Sequence, residues 1–212
     1  MGYRHPFRMR PRNAMPVPPV PRLPAAWYNR PMRILGVDPG LNCTGYGVVD
    51  YTPARTVMVE GGVIRTDASA SLEVRVATIA EGIEAVLADC QPEVMVVEQL
   101  YSKYAHPQTA ILMGHARGVI LLAGARRGLA VVDYAASMVK RSLTGHGRAS
   151  KEQMGRMVAR MLGLNEPPQP HDVTDALALC LCHCSPMRSV PGQDGLPDRI
   201  ARALAQQGGR RP

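Results

Sequence analysis

Between residues 32 and 185 the apolar positions fall alternately into short runs and helical stripes. Ile34-Leu35-Gly36-Val37-Asp38 has the character of a short strand, Tyr46 to Asp50 of a second and Val57 to Arg65 of a third, and the turn residues between them suit an antiparallel meander. Leu72, Val76, Ile79, Ile83 and Val86 recur at helical spacing and predict a helix over 71–89 with one apolar stripe. Val94-Met95-Val96-Val97-Glu98 is a continuous apolar run of strand length ended by an acid, the pattern of a central strand buried on both faces. The chain then predicts a helix over 107–126, a strand over 129–133 and a helix over 134–143. Ser150 with Gln153 three residues later is a capping-box signature, with Met154, Met157, Val158, Met161 and Leu162 as the apolar face behind it. The run Pro167-Pro168-Gln169-Pro170 predicts the stop of that helix, and a last one spans 171–184. Three strands, then alternating helices and strands, then helices predict an α/β fold: a mixed five-stranded sheet flanked by helices, its first and fourth strands adjacent in the middle.

The two ends lack this pattern. Residues 1–31 are rich in Pro and Arg and acid-free, and they bury too little apolar surface to offset the entropy of ordering, so a disordered extension is expected. Met32, just after it, is a second candidate start residue. Residues 186–212, with Pro186, Pro191, Gly192, Gly195 and Gly208-Gly209, predict a flexible tail apart from a short helical stretch over 199–206. That leaves one domain over 32–185, since 212 residues are too few for two. The chain has no apolar run of membrane-span length and its first thirty residues carry no secretory hydrophobic stretch, so a cytoplasmic protein without membrane contact is expected. The five cysteines are odd in number and form no CxxC pair, which predicts reduced, mostly buried thiols. Cys180, Cys182 and Cys184 alternate along a helix and so point around it, which favours core packing over metal binding with His183.

Charge changes the picture once it is divided along the chain. The formal +8 comes from the two ends, yet residues 101–165 alone hold ten basic residues against Asp133 and Glu152. The rest of the domain is therefore acidic. A basic region beside an acidic one suits a polyanion held against a carboxylate site.

The acids that end elements carry the candidate chemistry. Asp38 closes the first strand, Glu98 the fourth, and Asp172 and Asp175 lie three apart at the start of the last helix, facing the same way. Carboxylates at the carboxyl ends of neighbouring central strands meet in the crevice where open α/β sheets bind ligands. Singly, Asp172 would serve as a helix cap or dipole partner and Asp38, before Pro39-Gly40, as a turn former. Glu98 ends an apolar strand half-buried and needs a partner. Together they repel one another unless a cation is held, and hard oxygen donors select Mg²⁺ or Mn²⁺. Two such ions would clamp a phosphodiester.

Ile34-Leu35-Gly36-Val37-Asp38-Pro39-Gly40 with Thr44-Gly45-Tyr46-Gly47, then Val97-Glu98-Gln99, Gly114-His115-Ala116-Arg117-Gly118 and Asp172-Val173-Thr174-Asp175-Ala176-Leu177-Ala178 resemble, in order, the RuvC family of Holliday-junction resolvases. The likeness covers residues 32 to about 185. It implies an RNase H-like fold, a homodimer, Mg²⁺-dependent cutting of four-way DNA junctions with two ions per site, and work beside the RuvAB branch-migration complex in recombination and repair. By the same resemblance Asp38, Glu98, Asp172 and Asp175 match the metal-binding catalytic acids. Some members place histidine at the first position of the last pair, and here His171 precedes Asp172; the three-residue spacing to Asp175-Ala176-Leu177 selects Asp172. Tyr101 matches the aromatic that stacks near the junction centre. Lys140 and Lys151 match two basic positions that support catalysis and phosphate binding. Arg148, between Gly147 and Ala149, is expected on a phosphate-contacting loop with Gly145. The loop from Tyr101 to Gln108 is longer than the family pattern, and residues 1–31 have no counterpart in it.

Two other classes fit parts of the chain. Asp38-Pro39-Gly40 through Gly47 also suits the phosphate loop of actin-like ATPases and sugar kinases, but these need a second lobe for which the chain has no room. A module that holds branched DNA without cutting it would need a broken acid set, and all four acids are present.

Overall fold

A computed structural model describes residues 31–100 and 107–185. The expectations for residues 1–30 and 186–212, and for Tyr101 and the loop around it, lie outside these residues. The chain runs β1 (Met32–Asp38), β2 (Cys43–Tyr51), β3 (Thr56–Arg65), α1 (Leu72–Cys90), β4 (Val94–Glu98), α2 (Pro107–Arg126), β5 (Ala130–Tyr134), α3 (Ala136–Thr144), α4 (Lys151–Leu162) and α5 (His171–Cys184). The five strands form one sheet in the order β3-β2-β1-β4-β5, with β1–β2 and β2–β3 antiparallel and β1–β4 and β4–β5 parallel. The mixed sheet and its central β1–β4 pair are those expected from the sequence.

The sheet separates two cores because alternate strand residues point to opposite faces. Ile34, Val94 and Val96 face α3, α4 and α5, together with Val139, Val158 and Leu177. Leu35, Val37, Met95 and Val97 face α1 and α2, together with Ile79, Ile83 and Ile120. Both faces of β1 and β4 are thus dry, which is why their sequences read as unbroken apolar runs.

Several boundaries differ from the sequence reading, among them the start of β2 at Cys43 rather than Tyr46. Tyr134, expected to open a helix, instead ends β5 opposite Glu98, and α3 starts at Ala136. The helix α4 ends before the proline run, because Gly163 adopts φ 67°, a left-handed cap that glycine reaches without strain. The capping box forms as expected: the Ser150 hydroxyl accepts from the Gln153 backbone N–H while the Gln153 side chain accepts from the Ser150 N–H. Cys90, Cys180, Cys182 and Cys184 are buried free thiols and Cys43 is half-buried. No described helix is long and apolar enough to cross a membrane.

Candidate active site

Four carboxylates from three elements converge at one end of the sheet. The parallel register pairs Val37 with Val97, so the next residues, Asp38 and Glu98, end their strands side by side. The turn that follows Asp38 is tied by Thr44, whose hydroxyl donates to the Gly40 carbonyl at 2.7 Å, so the Asp38 carboxylate is not needed to hold it. Indeed, Asp38 makes no side-chain hydrogen bond or salt bridge among the described residues. Asp172 does not cap α5 either: the N-cap is Pro170 and no side-chain cap bond is made.

Helix α5 reaches the two strand ends by lying directly on glycines. A Cβ at Gly45 would fall on the Asp172 carbonyl, and one at Gly36 on the Ala176 carbonyl. Only residues without a side chain leave room for this approach, and it sets Asp172 and Asp175 beside Asp38. The buried Thr174 hydroxyl donates to Pro168 O at 2.7 Å and fixes the incoming turn.

The electrostatics register the crowding. Burial, then the Glu98, Asp175 and Asp172 carboxylates, push the Asp38 carboxyl up to about 8, against the pull of Lys151. Burial and Asp175 raise Glu98, while Lys140 and Lys151 draw it down. Asp175 is raised by burial and by Asp172, and is drawn down by Lys151, Lys140 and His171. Lys140 of α3 and Lys151 of α4 therefore stand within the field of the acids. Arg148 is exposed on the loop leading into α4.

Two further residues belong to this end of the molecule. Arg117 of α2 donates through Nε to the Glu98 carbonyl at 3.2 Å and through Nη2 to Asp133 Oδ2 at 3.2 Å, clamping the ends of β4 and β5. Cys43, at the start of β2, has its thiol raised by burial and by the neighbouring Asp172. Arg117 lies in the Gly114–Gly118 motif, but a helical arginine has no signal in sequence for a main-chain partner nineteen residues away. Cys43 carries no signal at all.

Chemically the set is four hard oxygen donors with two ammonium groups nearby. Among the described residues no three His, Cys, Asp or Glu side chains are gathered closely enough to enclose a metal ion by themselves. Carboxylate oxygens are hard donors of the kind that hold divalent cations together with water and phosphate oxygens. Burial and the three neighbouring carboxylates that push Asp38 up to about 8 leave the cluster short of positive charge.

The sequence pattern of the family described as crossover junction endodeoxyribonuclease RuvC matches residues 34–183. A crossover junction endodeoxyribonuclease RuvC of Rhodopirellula baltica is 47% identical over 149 residues, 70% of this chain and 84% of that protein. Its counterpart in Paramagnetospirillum magneticum is 43% identical over 175 residues, 82% of this chain and 100% of the relative. Among solved structures, Thermus thermophilus RuvC in complex with Holliday junction substrate aligns with a TM-score of 0.70 and 35% identity, covering 74% of this chain and 95% of that one.

Proposed function

The chain belongs to the RuvC family of crossover junction endodeoxyribonucleases, a junction-resolving nuclease with an RNase H-like fold, and from that premise we propose how its own residues cut a four-way DNA junction. The convergence of Asp38, Glu98, Asp172 and Asp175 at one end of the sheet, with Asp38 pushed up to about 8, carries the proposal. These four would hold two Mg²⁺ ions, for which Mn²⁺ substitutes. Bound there, the ions supply Lewis-acid polarisation of the phosphodiester and acidify the attacking water. Asp38 is the carboxylate that feels the other three, and it would be ionised when it helps to hold the cations, so its ionisation and their binding would be coupled. Lys140 and Lys151 already offset negative charge at Glu98 and Asp175, and they offset the charge that builds on the phosphoryl oxygens in the transition state. Arg117 fixes the carbonyl of Glu98 and so aims its side chain. In-line attack leaves a 5′-phosphate and a 3′-hydroxyl that a ligase can seal. Tyr101 and Arg148 contact the junction, the first by stacking on a base and the second through a phosphate.

Symmetric resolution needs two such sites, hence a homodimer. The outer face of α2 supports one: Ile111 and Leu122 are 60% and 49% exposed, and a Cβ at Gly114 or Gly118 would meet nothing within 4 Å. These glycines meet no packing need among the described residues, and they leave room for a second helix to approach closely. The same reading has the dimer working beside the RuvAB branch-migration complex in the cytoplasm.

The test is a labelled four-way junction beside a linear duplex of the same sequence, each with Mg²⁺, Ca²⁺ or EDTA. Paired, religatable nicks on the junction alone and only with Mg²⁺ are expected. Equal cutting of the duplex, or cutting in EDTA, overturns the reading.

A further inference from the structure

Away from the acids, a recess of about 300 Å³ opens between the end of α3 and the outer face of α4, lined by Thr144, His146, Gln153, Arg156, Met157 and Arg160. No acid lines it. Arg156 and Arg160 stand one turn apart on the exposed face of α4, and neither makes a hydrogen bond or salt bridge among the described residues. The nearby Glu152 carboxylate, which feels Arg156, is turned to the Ser150 hydroxyl at 2.6 Å. Gln153 presents donors as well: its Oε1 is occupied by the Ser150 N–H at 2.8 Å, which leaves its NH₂ group for another acceptor. Thr144 is spent internally, its hydroxyl within 2.7 Å of Lys140 O and 3.0 Å of His146 O, and so holds the wall of the recess in place. The result is an open surface recess that offers two forked guanidinium groups and an amide.

We propose that this recess takes a backbone phosphate of one duplex arm of the junction, away from the phosphate that is cut. Its place on α4 argues for DNA over a free anion. The helix starts at Lys151, whose charge reaches Asp38, Glu98 and Asp175. Arg156 and Arg160 follow five and nine residues later, roughly 7.5 and 13.5 Å along the axis at 1.5 Å per residue. At about 3.4 Å of axis per nucleotide on one strand, that spans a few nucleotides. Arginine forks match phosphate oxygens two at a time, and such contacts set the orientation of a duplex without reading its sequence.

The inference rests on the nuclease reading above, and the test separates the two. The double variant Arg156→Gln with Arg160→Gln is compared with the wild type and with Arg55→Gln plus Arg126→Gln, an equal loss of charge from exposed positions at the opposite end of the sheet. Binding is measured against salt concentration in Ca²⁺, on junctions with long arms and with arms cut back to a few base pairs, and cutting is measured at saturating protein in Mg²⁺. The recess variant should bind the long-armed junction about tenfold more weakly, with a log–log salt slope shallower by about 0.9 for each phosphate it no longer neutralises. Its cutting rate at saturation should equal that of the wild type, as should its affinity for the short-armed junction, and the control should keep the wild-type salt slope. A wild-type slope in the recess variant, an equal weakening on short arms, or an equal weakening in the control overturns the recess while leaving the nuclease intact. A wild type that neither binds nor cuts the junction overturns both.

Discussion

At the residue scale the molecule is governed by what Asp38 must do with its charge. Its folded carboxyl holds a proton to about pH 8, whereas the unfolded chain releases it near the ordinary value of 3.8. Between those values the folded state binds more protons than the unfolded, so stability falls as pH rises and levels off above about 8. Glu98 and Asp175 are raised too and act in the same direction. The buried His183, lowered by burial to about 4, opposes this only below its ordinary 6.5. In calorimetry without divalent cation, the melting temperature should therefore fall by roughly 5 °C from about pH 6.5 to about pH 8.5, and Mg²⁺ at the higher pH should restore it. A melting temperature that rises over that range would contradict the origin assigned to the shift. Asp38→Asn removes the charge and keeps the shape. It should flatten that pH dependence, keep junction binding, and lower cutting by about a thousandfold or more.

At the element scale the site exists because a helix can touch a strand. Gly45→Ala drives a methyl into the Asp172 carbonyl, so α5 must shift outward. Overpacking of this kind costs about 1–3 kcal/mol, and the displaced Asp172 and Asp175 should cost about a hundredfold in kcat, read by denaturant unfolding and single-turnover cutting. Arg117 acts on a smaller scale, through the carbonyl of Glu98 and the carboxylate of Asp133. Arg117→Ala should lower kcat about tenfold with little change in KM. Arg117→Lys, which reaches one partner but not both, should recover only part of it. A raised KM with kcat unchanged would place Arg117 on the DNA instead. Neither the glycine approach nor the arginine clamp was legible in the linear chain. The glycines stood in the motif without their partners, since a close approach has two sides and the second lies more than a hundred residues away.

At the scale of the whole molecule the proposed homodimer would bring two sites to one junction. The apolar stripe on α2 is exposed on the single chain. Ile111→Glu should give a monomer in light scattering, melt at nearly the wild-type temperature, and nick single strands without pairing the nicks. A dimer that survives this change would move the interface off α2. The charge division has its meaning at this scale as well. Lys140 of α3 and Lys151 of α4 lie in the field of the acids, so in the proposed function they would draw the phosphate backbone towards the carboxylates.

The sequence by itself determined the order of elements, the central pairing of β1 with β4, the capping box of α4 and the placing of four acids at element ends, because each has a local signature: a period, an apolar run, a three-residue spacing, an acid at a strand end. It misplaced the end of α4 for a local reason too, since Gly163 was free to turn left-handed before Pro167 was reached. Only the tertiary structure decided that Asp38 bears the heaviest charge burden, that α5 rests on Gly36 and Gly45, that Arg117 serves Glu98, and that Arg156 and Arg160 frame one recess. Those are properties of distance between residues remote in sequence, and electrostatic repulsion, desolvation and steric contact depend on distance in space and not on position along the chain.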